Sequence, residues 1–408
     1  MNSTDLRIPF LASGLFLLFL TNVLAEDWPS WRGPSHNGSR GGENYPTEWS
    51  ADSAAWKVEL PGKGASCPVV WKDRIYLTSP DDGVDIAIAL DHAGKQIWRT
   101  EIGDERPPKH KKLGTSSNAS PVTDGSGVFV YFKSGNLAEE FGPQKLYWDQ
   151  GSSPVIVGDL LILPRLHAGE SWVAGFDKAT GEIRWKQERN YQVPPENDNG
   201  YTTPIPIKAG DRDAVIIWCS DHVTTYAADD GTLLWSCGGF NRDGNKLWPP
   251  IATPVVSGDH AIIPVGRDDR KQAEVHAVRL GGEGDVTKTH RAWERDDFGV
   301  FVSSPIAYDG RVYVLRHKGE VVCLDPATGE PFWKGELPRA AAPYYASPVI
   351  AGGILYAARE DGVVFAARVG EKFELLGEND MEEQILASPT PFDGQLLIRT
   401  SGHLFCVK

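Results

Sequence analysis

Three arginines stand three residues ahead of a glycine: Arg316 before Gly319, Arg359 before Gly362 and Arg399 before Gly402. Arg165 with His167, and Arg267, occupy comparable points earlier in the chain, and His317 follows Arg316 directly. The stretch "PPKHKKLG" adds His110, Lys111 and Lys112. Guanidinium groups hold carboxylates and phosphates through paired N–H donors. Brought together, these bases would form a local positive funnel on an otherwise acidic chain. The candidate ligand site is therefore His110, Lys111, Arg165, His167, Arg267, Arg316, His317, Arg359 and Arg399. The acids Asp268, Asp269, Glu360 and Asp361 stand beside them and offer ion pairing as the competing use. Tyr191, Trp248, Phe298, Phe301, Tyr344 and Tyr345 could supply an aromatic rim around the same place.

Other chemistry finds no support in the sequence. The chain has no G-x-S-x-G elbow, no H-E-x-x-H and no phosphate loop. Its five cysteines form no C-x-x-C pair, and Cys219 with Cys237 is the one pairing that an oxidising compartment would offer. No catalytic residue and no metal ligand are nominated. A net charge of −14 argues against nucleic acid as the partner, because phosphates require a positive surface.

The elements that must position these residues repeat along the chain. "FDKATGEIRW" at Phe176–Trp185 returns as "LDPATGEPFW" at Leu324–Trp333, with looser copies ending at Trp98 and Trp235. Each unit opens on a small residue before proline: "SCPVV", "ASPVT", "SSPVI", "TTPIP", "ATPVV", "SSPIA", "ASPVI" and "ASPTP". Each then offers short alternating strands, a glycine turn, an Asp-led turn and a strand carrying tryptophan. Trp56, Trp98, Trp148, Trp185, Trp235, Trp293 and Trp333 occupy that last position, spaced 37 to 58 residues apart. The expected period of a four-stranded propeller blade is roughly 40–45 residues. The spacing predicts an all-β, eight-bladed β-propeller of four-stranded antiparallel blades. The tryptophans are expected to wedge between neighbouring blades as structural residues. The last opening, at Ser388-Pro389, leaves room for only three strands, so the N-terminal strand around Ala54–Glu59 is expected to close the ring.

D-x-x-T-G-x-x-x-W after an alternating strand resembles the pyrroloquinoline quinone (PQQ)-like propeller repeat, and the resemblance covers essentially the chain from Ala54 to Lys408. The opening "DWPSWRGPSHNG", with "PTEWS", "LLGEND" and the closing "LFCVK", resembles an exported bacterial branch of that family. The resemblance also reaches the scaffold lipoprotein of outer-membrane β-barrel assembly and the PQQ-dependent dehydrogenases. It implies a non-catalytic binding or scaffold module that takes a protein, or an anionic small molecule or polymer, on its top face. The alternative it implies is a PQQ-dependent oxidoreductase with calcium. The adjacent cysteine pair usual in that branch is missing here, which favours the first reading.

The first 25 residues read as a signal peptide. Arg7 precedes the apolar run Ile8–Leu20, and Val23-Leu24-Ala25 supplies a small-residue cleavage site. The run is short for a membrane span. The organisation expected is a signal peptide over 1–25, a Trp-rich segment over 26–53 packed on the propeller, and the propeller over 54–408. The mature protein is expected to be an exported monomer, periplasmic or extracellular, without a membrane span.

Overall fold

A computed structural model describes residues 27–408 except 111, 135–145, 147 and 271. The expected signal peptide and Lys111 therefore lie outside the described residues. The chain is an all-β propeller of small antiparallel sheets. The first four-stranded blade comprises Val69–Trp71, Arg74–Asp81, Val84–Leu90 and Gln96–Asp104, each strand paired with the next. The same meander recurs from Val155, Ile205, Val255, Ile306, Val349 and Thr390.

Burial grades outward along each blade. Val363–Arg368 reads VVFAAR, with five consecutive buried residues, because both faces of a middle strand pack against neighbouring blades. The outer strand Gln96–Asp104 is exposed over most of its length. Two blades gain a fifth, parallel strand at an edge: Gly284–Asp285 beside Leu233–Gly238, and Ser39–Arg40 beside Val349–Ala351.

The repeated letters have a local physical cause. In "DKATG", the Asp177 carboxylate accepts the N–H groups of Ala179 and Thr180 at 2.9 and 3.1 Å. The Gly181 N–H then reaches the Asp177 carbonyl at 2.8 Å with φ of 76°, a conformation that costs glycine little. The register shifts by a β-bulge at the same place in six blades, for example between Gly175 and Phe176 and between Cys323 and Leu324. The tryptophan lies opposite the residue just before that bulge, and this residue is small: Ala89, Gly175, Thr225, Ala277 or Cys323. A Cβ on Gly175 would come within 2.4 Å of the Trp185 ring.

From there the indole N–H crosses to the turn between the third and fourth strands of the next blade. Trp56 donates to His92 O, Trp185 to Ala228 O, Trp293 to Pro326 O and Trp333 to Gly370 O, all at 2.8–2.9 Å. Trp235 is buried behind the Gly284–Asp285 strand instead. Trp98 lies tilted against Tyr76 with about a third of its surface exposed.

Two expectations are corrected here. Seven, not eight, four-stranded blades stand among the described residues. After Ser120 only Val122–Thr123 and Val128–Phe129 pair. From there to Trp148 the sequence "KSGNLAEEFGPQKLYW" abandons alternating β-branched residues for glycine, proline and acids, which strands disfavour. Most of that stretch lies outside the described residues. For the same reason Trp148 occupies no blade strand and is 40% exposed. Trp56–Glu59 pairs antiparallel with His403–Val407, so a strand from the N-terminal part completes the last sheet. All five cysteines are free and buried, and Cys219 is not bonded to Cys237.

Candidate ligand-binding cavity

The small residue that opens each unit has a purpose its chemistry makes plain. The proline after it carries no N–H and biases the residue before it toward extended backbone. That residue's own N–H points around the ring to the next opening. Cys67 N–H donates to Ser120 Oγ, Ser120 to Ser153, Ser153 to Thr203, Thr203 to Thr253, Thr253 to Ser304 and Ser304 to Ser347, all at 2.9–3.0 Å. Ser388 N–H donates to Cys67 Sγ at 3.2 Å. This belt of short side chains surrounds a central bore and ties neighbouring units by backbone-fixed hydrogen bonds.

The N-terminal segment crosses the bore beyond the belt. Trp28 exchanges N–H···O bonds with Val70, Pro29 O accepts from Thr123, and Asn37 O accepts from Ala307. Between them the buried Arg32 guanidinium donates to the carbonyls of Ser304, Pro305 and Pro348, and it also reaches Asn37 O at 3.2 Å. Burial draws its pKa down to about 9. Trp49 fastens the end of the segment, its backbone N–H on Asn379 at 2.6 Å and its indole on Met381 Sδ.

Above this crossing lies a cavity of about 440 Å³. Trp31 forms part of its wall, Ser120, Ser153, Ser304, Ser347, Ser388 and Cys67 line it at the belt, and Asn118 faces it. The blade-linking segments bring Trp148, Tyr201, Phe301 and Tyr345 to its upper part, with Asp149, Arg267, Asp269 and His317 among them. The volume lies within the roughly 300–1,000 Å³ usual for ligand sites.

The charged groups of this wall are held in pairs. Arg267 grips Asp269 in bidentate fashion at 3.0 and 2.8 Å and lies 4.0 Å from the centroid of the Phe301 ring. Asp149 takes Lys133 Nζ at 2.6 Å and the Lys109 N–H at 3.2 Å. His317 leans edge-on to Tyr345 and donates its backbone N–H to Asp268 at 2.6 Å. Burial holds the His317 imidazole below its ordinary pKa, while the nearby Asp268 works in the opposite direction.

Of the described residues nominated as the ligand site, Arg267 and His317 line this cavity, and of the nominated aromatic rim Phe301 and Tyr345 do. His110 stands just behind, its ring 5.4 Å from that of Trp148 and its Nδ1 accepting the Leu113 N–H. Arg316 is paired with Glu320 at 2.9 Å, and Arg359 with Asp361 at 2.8 Å and with the Pro338 carbonyl. Arg399 is buried under the belt, where it donates to the carbonyls of Ser66 and Thr78, and burial lowers its pKa to about 10. Arg165 and His167 are buried on the second full blade, and Ser171 Oγ bonds the His167 backbone. Among the described members, Arg267, Arg316 and Arg359 are paired with acids in adjacent turns, and Arg399 is held by backbone carbonyls. Sequence reasoning missed Trp31, Asn118, Trp148 and the belt as lining. The repeated small residue before proline was the available signal for the belt, since Ser, Thr or Cys recurring at one position of each unit implies a shared partner.

The sequence profile of the family described as "Outer membrane protein assembly factor BamB" matches residues 38–141 and 240–370, more than half of the chain. A protein of that name from Burkholderia pseudomallei (strain K96243) is 27% identical over 338 residues, covering 76% of this chain and 77% of the relative. The one from Yersinia pestis is 18% identical, covering 83% and 72%. Among solved structures, a europium-containing methanol dehydrogenase superposes with a TM-score of 0.66 at 10% identity, covering 93% of this chain and 98% of that one. At that identity the likeness concerns fold alone.

Proposed function

Because the chain belongs to the outer membrane protein assembly factor BamB family of PQQ-like propellers, we propose that it is an exported, non-catalytic scaffold that binds a partner on the face bearing the blade links. The Trp56–Glu59 strand, in this reading, closes the ring so that the scaffold keeps few free edges. The carrying observation is the cavity mouth. It combines an aromatic rim with charges already engaged in the Arg267–Asp269 and Lys133–Asp149 pairs, on a frame held by the belt. Such a mouth recognises shape and apolar surface, and its acids are occupied in orienting other side chains. Relatives named as assembly factors over most of their length support a partner within the outer-membrane assembly machinery. Among the described residues no helix is long and apolar enough to cross a membrane.

The test is interferometry between the immobilised mature chain and the purified proteins of that machinery from the same cell. Saturable binding, weakened at least tenfold by Tyr345→Ala, is expected; a tenfold loss is about 1.4 kcal/mol. No binding to any component overturns the reading.

The quinoprotein alternative fares worse at the cavity. PQQ is a planar tricarboxylate, and the described lining offers it one guanidinium, already neutralised by Asp269, beside a second carboxylate at Asp149. Among the described residues no cluster of three or more His, Cys, Asp or Glu could hold a metal ion. The lining does not fit the cofactor.

A further inference from the structure

The inner wall carries a pattern that neither charge pairing nor partner docking explains. Ser120, Ser153, Ser304 and Ser347 each accept one backbone N–H through Oγ, and none of them donates its own O–H to a group among the described residues. Ser388 Oγ and the Asn118 carboxamide have no hydrogen-bond partner among the described residues, although both face the cavity. Beside them stand acceptors already oriented: Asp149 held by Lys133 and Lys109, and Asp269 held by Arg267. Arg267 Nη1 keeps donors that Asp269 does not use. A third component is apolar. Trp31 lines the chamber, and Trp148, 40% exposed, is propped by His110 rather than folded into a blade.

Each ligand class makes a different demand on such a wall. An anion calls for donors in excess, and a cation for acceptors in excess. A hydroxyl group both donates and accepts, so a molecule rich in hydroxyls calls for donors and acceptors interleaved. A sugar ring adds an apolar C–H face that packs on a flat aromatic ring. The chamber is crossed at its base by the strap through Arg32, which suits a compact ligand over an extended chain.

We propose that the central cavity is a carbohydrate site, binding a mono- or disaccharide between the exposed Trp148 indole and the polar wall of Asn118, Asp149, Asp269 and the belt serines. Trp148 stacks on the sugar face, the two carboxylates accept from its hydroxyls, and Asn118 and the serine O–H groups donate. The sugar site lies within the cavity whose mouth carries the docking role, but its test does not require that role, since it is read on the isolated chain.

The test is titration of the full mature protein with glucose, N-acetylglucosamine and maltose, and with citrate as the anionic control, followed by tryptophan fluorescence and calorimetry. Saturable binding of one sugar with Kd near or below about 1 mM is expected. Trp148→Ala should weaken it at least tenfold with thermal stability unchanged, and Asn118→Ala should weaken it severalfold. No saturation by any of the three sugars overturns the proposal. Sugar binding that survives both substitutions moves the site elsewhere and equally overturns it. Citrate binding more tightly than every sugar, with loss in Arg267→Ala, replaces the carbohydrate reading by an anionic one. Failure to dock proteins of the assembly machinery would leave these outcomes untouched.

Discussion

Replacing Ser304 by alanine isolates one bond of the belt. Its Oγ accepts the Thr253 N–H at 2.9 Å, and Thr253 is buried, so the alanine variant leaves that N–H without a protein acceptor. A buried donor left unsatisfied costs about 1–3 kcal/mol, and the change in volume is too small to add a cavity term of note. Unfolding entropy of roughly 2.1 cal/mol/K per residue, over about 380 residues, gives about 0.8 kcal/mol/K. The expected loss in Tm is therefore about 1–4 °C, with a matching fall in the denaturant midpoint at constant m. Ser388→Ala is the internal control. It removes the same atoms from another buried ring position, but this hydroxyl accepts no belt N–H among the described residues. It should cost less than about 0.5 kcal/mol. Ser304→Cys should fall between the two, because Cys67 accepts a belt bond through sulfur at 3.2 Å. Calorimetry and urea titration of the three variants decide the matter. Equal stability of Ser304→Ala and Ser388→Ala would refute the belt as a stabilising device.

Two further outcomes follow from the packing. Trp185→Phe removes the indole bond to Ala228 at 2.8 Å and should cost about 1–2 kcal/mol, whereas Trp98→Phe, at an exposed position, should cost under about 0.5 kcal/mol by denaturant titration. Burial raises the Asp85 carboxyl from 3.8 to about 6, opposed by the Ser134 hydroxyl bonded to it at 2.8 Å. A raised folded-state pKa means the folded chain binds the proton more tightly, so this contribution is full below about pH 4 and lost as pH rises through 6. Asp85→Asn should abolish that fall and be the more stable form at pH 7, and a wild-type-minus-variant difference that stays flat between pH 4 and 7 would contradict it.

The architecture was legible in the letters because its causes are local. The Asp-led turn, its glycine and the tryptophan on the adjoining strand all lie within one hairpin, so "DKATGEIRW" predicts the same geometry wherever it recurs. The second unit escaped that logic. Its Ser-Pro opening is intact, Ser120 joins the belt and a first short hairpin forms, but the strand pattern stops after Phe132, so the count of eight exceeds the seven four-stranded blades among the described residues.

The candidate site divides along the same line. Composition and spacing established a series of similar units, a small residue before proline at the opening of each, and arginines gathered near the turns. Which arginines remain available depends on the acids that meet them in space. Asp269 and Asp361 lie two residues from their partners, and Glu320 lies across a hairpin, so each pairing follows from how the turn folds back. The cavity itself is formed by residues far apart in the chain, from Trp31 through Asn118 to Ser388. Trp31 and Trp148 read as blade or strap residues in the sequence, and closure of the ring is what turns them toward one chamber. A linear pattern records which side chains each unit contributes, but the bond partners and the shared space arise only when the units meet edge to edge.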